Sequence, residues 1–100
     1  MNNINKVSEI TYEDVADYLK LSEVTNDEQN TLNNLINISK SFISSYTGLS
    51  LDKLDLHCDF VIVVLILCQD MWDNKTLYVN KSELSYPVQT ILGMHSVNLL

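Results

Sequence analysis

Apolar positions recur with a helical period through most of this chain. The clearest case is Asp27 to Leu51. There Leu32, Leu35, Ile36, Ser39, Phe42, Ile43 and Tyr46 share one face of a 3.6-residue helix, while Asn30, Asn33, Asn34, Asn37, Lys40 and Ser44 fill most of the other positions. Thr25 or Asn26 can cap this helix, with Asp27 and Glu28 in its first turn facing the positive end of the dipole. It should end near Tyr46 or Thr47, with Gly48 in the left-handed position after the last turn and Leu49 and Leu51 packed back against the end.

A shorter helix is expected before it. Thr11 reads as an N-cap, Tyr12-Glu13-Asp14 as an acidic first turn, and Val15, Tyr18 and Leu19 as an apolar stripe ending at Leu19 or Lys20. Residues Met1 to Ile10 are polar and Asn-rich without a period, so a mobile arm is expected there. Leu21 to Asn26 is a connector.

Asp52 to Asp59 is a second acidic start and leads into the run FVIVVLILCQDMWDNK. Its β-branched residues favour a strand. Twenty residues from Asp55 to Asn74 without Gly or Pro favour a helix, which is the assignment adopted. On that helix His57, Val61, Val64, Cys68 and Met71 form one face. Asp59, Ile62, Ile66, Asp70 and Asp73 form roughly the opposite one. A helix apolar on both sides needs cover on both sides. Ile62 and Ile66 are therefore candidates for a surface covered by a neighbouring subunit; the first helix or the C-terminal segment could also cover them.

Asn74 to Ser85 is a polar connection with Leu77-Tyr78-Val79 inside it, either a loop or an edge strand over 76–80. Pro87 suits the first turn of a last short helix through Val88, Ile91 and Leu92, with Gly93 ending it and 94–100 forming an apolar tail. The expected fold is all-α, a single domain over 1–100: a small bundle of about four helices with a polar loop before the last.

Composition sharpens this. One hundred residues bury a modest core, so partners can supply stability. The net charge is −7 with six lysines and no arginine. Arginine is the residue suited to bidentate phosphate and base contacts, so a sequence-specific nucleic-acid reader, a helix-turn-helix binder included, is disfavoured. An acidic wall would still let DNA pass without holding it. Cys58 and Cys68 would stand about 15 Å apart on a helix, too far for a disulfide, and are expected as small reduced core residues. The N-terminus has no apolar core of a signal peptide. The longest apolar run, Phe60 to Cys68, is about half a membrane span. A soluble protein is expected.

Chemistry for catalysis is sparse. His57 and Cys58 are adjacent and His95 is remote, with no zinc-type spacing. Asp52, Asp55 and Asp59 lack the glycine and alternating spacing of a calcium loop and read as acids gathered at a helix start. Consecutive side chains on a helix diverge, which separates His57 from Cys58 as a base and nucleophile. The two glycines, Gly48 and Gly93, form no phosphate-cradling loop. No catalytic, cofactor or metal residue is assigned. Aromatic Trp72, Tyr78 and Tyr86 flank the polar loop, and such side chains are enriched at protein interfaces. With Ile62, Ile66, Leu77, Leu99 and Leu100 they form the candidate subunit or partner interface.

The ordered segments ITYEDVADYLKLS, DEQNTLNNLINISKSFISSYTGLSL, QDMWDNK and PVQTIL resemble the bacteriophage head–tail connector family. The matching positions are Tyr18-Leu19, Tyr46-Thr47-Gly48, Trp72 with Asn74-Lys75, and Val88-Gln89 with Leu92. The chain departs where the family often has arginine: Lys75 stands after the central helix, and the arginine near the C-terminus is missing. The long helix also carries less alanine. The resemblance implies a virion protein of the neck that assembles in the host cytoplasm. It implies a ring, twelve-fold as the portal is, that docks under the portal protein and extends the DNA channel. It further implies a surface for neck or tail-completion proteins and no catalysis. The competing expectation is a small acidic helical regulatory module that binds a basic protein partner.

Overall fold

The computed structural model of the protein describes residues 5–96 and is all-α. Its α-helices are α1 (Tyr12–Leu19), α2 (Asn26–Thr47), α3 (Asp59–Asn74) and α4 (Tyr86–His95). Short 3-10 turns cover Val7–Glu9, Leu51–Leu56 and Lys81–Glu83. Among the described residues there is no strand, so 76–80 is loop, and no helix is long and apolar enough to cross a membrane.

Local chemistry sets α1 and α2. Thr11 N–H and Oγ1 both donate to Asp14 Oδ2, at 2.8 and 3.0 Å. Thr25 and Glu28 form a full capping box, with Glu28 N–H donating to Thr25 Oγ1 at 3.2 Å and Thr25 N–H to Glu28 Oε1 at 3.0 Å. At the other end of α2, Gly48 has φ 79°, a conformation a side chain would strain. Ser44 Oγ donates to the Leu49 carbonyl at 2.6 Å and fixes the exit. Leu49 packs against the core, but Leu51, expected to do the same, is 57% exposed.

The core is built around α3. Phe60, Val61, Val63, Val64, Leu65, Leu67, Cys68 and Met71 are all buried, covered by α2, α1, α4 and the first 3-10 turn. Burial on so many sides overrides the strand preference of the β-branched run. Across the α2–α3 contact the buried Ser39 Oγ lies 3.6 Å from Cys68 Sγ. Helices α3 and α4 run antiparallel. His95, at the end of α4, contacts Asp59, at the start of α3, while Leu84 and Ser85 before α4 share a cavity with Met71 and Asn74 at the end of α3.

Further expectations are corrected. Residues 7–10 are not part of a mobile arm: Val7 and Ile10 are buried, each stabilising by roughly 1.5–3 kcal/mol, and Ser8 N–H donates to Asp55 Oδ1 at 2.9 Å, while residues 1–4 lie outside the described residues. Helix α3 starts at Asp59 rather than Asp55, because Leu51–Leu56 winds as a 3-10 turn that buries Leu54. Cys58 therefore sits before the helix and is exposed, not in the core, while Cys68 is buried. Gly93 does not end α4, which continues to His95; Ser96 Oγ donates to the Leu92 carbonyl at 2.7 Å, and His95 is held by Asp59. The apolar tail expected over 94–100 thus gives way to helix for Met94 and His95, and residues 97–100 lie outside the described residues.

Candidate functional site

The expected interface residues fall into three regions. On α3, Ile62 is 40% exposed, and Ile66, one turn on, is half-buried and packs against the core. Four-residue spacing makes them one ridge that leads to Asp70. Trp72 is half-buried beside the core. Leu77 and Tyr78 stand out on the loop after α3, and Tyr86 is 80% exposed at the first position of α4. Leu99 and Leu100 lie outside the described residues.

The loop is shaped by the end of α3. Lys75 takes the left-handed conformation at φ 56°, its N–H donates to the Trp72 carbonyl at 3.3 Å, and Thr76 N–H donates to the Met71 carbonyl at 3.0 Å. This paired closure turns the chain back across the helix end. A hollow opens on each side of the turn, and Met71 and Thr76 line both.

One hollow is an apolar groove of about 400 Å³ between α2 and the end of α3. Leu35 and Met71 are buried in its floor, Trp72 and Leu77 stand at its sides, and Lys75 supplies a cation. The other is a polar cavity of about 270 Å³ lined by Asp70, Asn74, Tyr78, Asn80, Glu83 and Ser85, among others. Burial, reinforced by the charge of Asp73, raises the Asp70 carboxyl above the usual carboxylate range. Ser85 Oγ is buried and has no hydrogen-bond partner among the described residues. Ser85 is the N-cap of α4, and Pro87 removes one of the two N–H groups such a cap ordinarily receives.

A separate cluster joins α3 to α4. The His57 and His95 rings meet at a 35° tilt with centroids 4.1 Å apart, and both meet the Phe60 ring, at 5.4 and 4.9 Å. His95 Nε2 lies 2.8 Å from Asp59 Oδ2. Among the described residues no three His, Cys, Asp or Glu side chains are grouped as metal ligands. Buried Cys68 has its thiol pushed up to about 11, which keeps it protonated and unreactive.

Trp72 and Leu77 thus share the groove, Tyr78 borders the cavity, and Ile62 and Ile66 occupy a different side of α3. Periodicity does not single out Glu83, the groove floor or the place of Lys75 beside the groove, because it does not say which residues a reversing loop brings together. The exposure of Leu56 and Met94 is likewise not legible in the periodicity: it depends on the 3-10 turn over Leu51–Leu56 and on the continuation of α4 past Gly93. No protein-family model, curated protein or solved structure significantly matches this chain.

Proposed function

We propose that the protein is a structural component of a tailed phage virion. It is a head–tail connector that assembles as a ring, twelve-fold in the virion, beneath the portal. The ring extends the DNA channel and presents the surface on which neck or tail-completion proteins attach. The observation that carries this reading is the set of exposed apolar side chains on a small acidic helical domain: Ile62, Leu77, Tyr78 and Tyr86. They stand on segments whose order resembles the connector family, and apolar side chains of this size in water mark contact surfaces when they gather. The net charge of −7 suits a wall that repels DNA phosphates rather than retaining them.

Electron microscopy of particles from a phage encoding this chain, with the gene disrupted, tests the reading. Filled heads that fail to join tails, or that lose DNA, are the expected outcome. Normal infectious virions would exclude a neck role. The polar cavity with Asp70 and Glu83 favours a second reading, a monomeric or dimeric acidic module that holds a basic partner. That reading predicts normal virions and a 1:1 complex with the partner.

A further inference from the structure

We infer that the subunits join head to tail, the Ile62–Ile66 ridge of one copy seating in the Trp72–Leu77 groove of the next. The inference rests on the ring reading and names the two faces that meet. At about 100° per residue, Ile62, Ile66 and Asp73 point within roughly 40° of one another, whereas Met71 points roughly 160° and Trp72 roughly 100° away from their mean direction. The two faces therefore lie on different sides of α3. A contact between two different faces is heterologous and propagates from copy to copy, closing into a ring when the rotation allows it.

Charge selects this pairing over ridge against ridge. Asp70 and Asp73 lie toward the C-terminal end of the ridge, and burial together with the charge of Asp73 already disfavours the ionised form of Asp70. Two ridges face to face would set these carboxylates against their own copies. The groove instead offers Lys75, whose backbone is fixed by the closure of the helix end. An exposed isoleucine entering an apolar groove removes both from water, and the carboxylates beside it find a cation.

The groove contains the chain's one tryptophan, so occupancy can be read directly. Two one-faced chains are mixed. The reporter carries Ile62→Lys, which blocks its ridge and keeps Trp72. The silent partner carries Leu77→Asp and Trp72→Phe, which block its groove and remove its fluorescence. Both are first checked for a helical circular dichroism spectrum; where the silent partner loses it, Lys75→Glu replaces Leu77→Asp. The expected result is a saturable 1:1 change in Trp72 emission with a midpoint below about 1 mM, weakened by salt. Adding Ile62→Lys to the silent partner should abolish it. No response, or one that survives that substitution, would overturn the docking. Failure here together with a neck defect in the phage leaves the ring with other contacts. Binding here with normal virions leaves the docking and removes the connector.

Discussion

His95 Nε2 lies 2.8 Å from Asp59 Oδ2, joining the last turn of α4 to the first turn of α3 across 36 residues of sequence. The carboxylate sits at the positive end of one helix dipole and the imidazole at the negative end of the other. The His95 ring also packs edge-on to Phe60 and lies tilted against His57. His95→Ala should cost about 1–2 kcal/mol in chemical denaturation, the sum of a partly exposed hydrogen bond and an aromatic contact. An unchanged midpoint would mean that the apolar contacts of Val88, Ile91 and Leu92 hold α4 without help from His95.

The two thiols should differ sharply. Cys58 is exposed, whereas Cys68 is buried against Ser39 and raised to about 11 by burial. An aromatic disulfide reagent at neutral pH should titrate one thiol per native chain quickly and the second only in denaturant. Cys58→Ser should remove the fast phase.

Two carboxylates should respond to acid in opposite directions. Asp55 accepts hydrogen bonds from Ser8, and these hold its carboxyl below the usual range. Its contribution is present above the unfolded value, near about 3.9, and is lost as pH falls through the lower folded value. The Ser8 amide resonance should shift with a midpoint below that of a free aspartate. Asp70 is raised, so folding favours its protonated form and stability falls as pH rises from the unfolded value through the folded one. Asp70→Asn should therefore raise the melting temperature at pH 7 and have little effect at pH 3.

Lys20 and Gly93 are each in the other's natural place. Lys20 closes α1 in the left-handed region at φ 61°, where a side chain costs about 1–2 kcal/mol. Gly93 lies within α4 with nothing within 4 Å of an added Cβ. Lys20→Gly and Gly93→Ala should each stabilise by about 0.5–1 kcal/mol, net of the change in unfolded-chain entropy. Thermal melts of the single and double variants would check this, and the gains should add because the sites belong to different helices.

What the amino-acid sequence determined by itself is what depends on near neighbours. The all-α class followed from periodicity. Helix α1 spans Tyr12–Leu19 and α2 closes at Thr47 before Gly48 because Thr11 with Asp14, Thr25 with Glu28, and the left-handed glycine satisfy backbone groups within a few residues. Tertiary structure decided whatever depends on distant partners. Val7 and Ile10 look like part of a polar arm until the core offers them a surface, and His95 extends its helix past Gly93 because Asp59 waits there. The start of α3, the exposure of Cys58 and the two hollows around Lys75 arise in the same way. Burial and loop reversal bring together residues whose spacing along the chain carries no sign of their meeting.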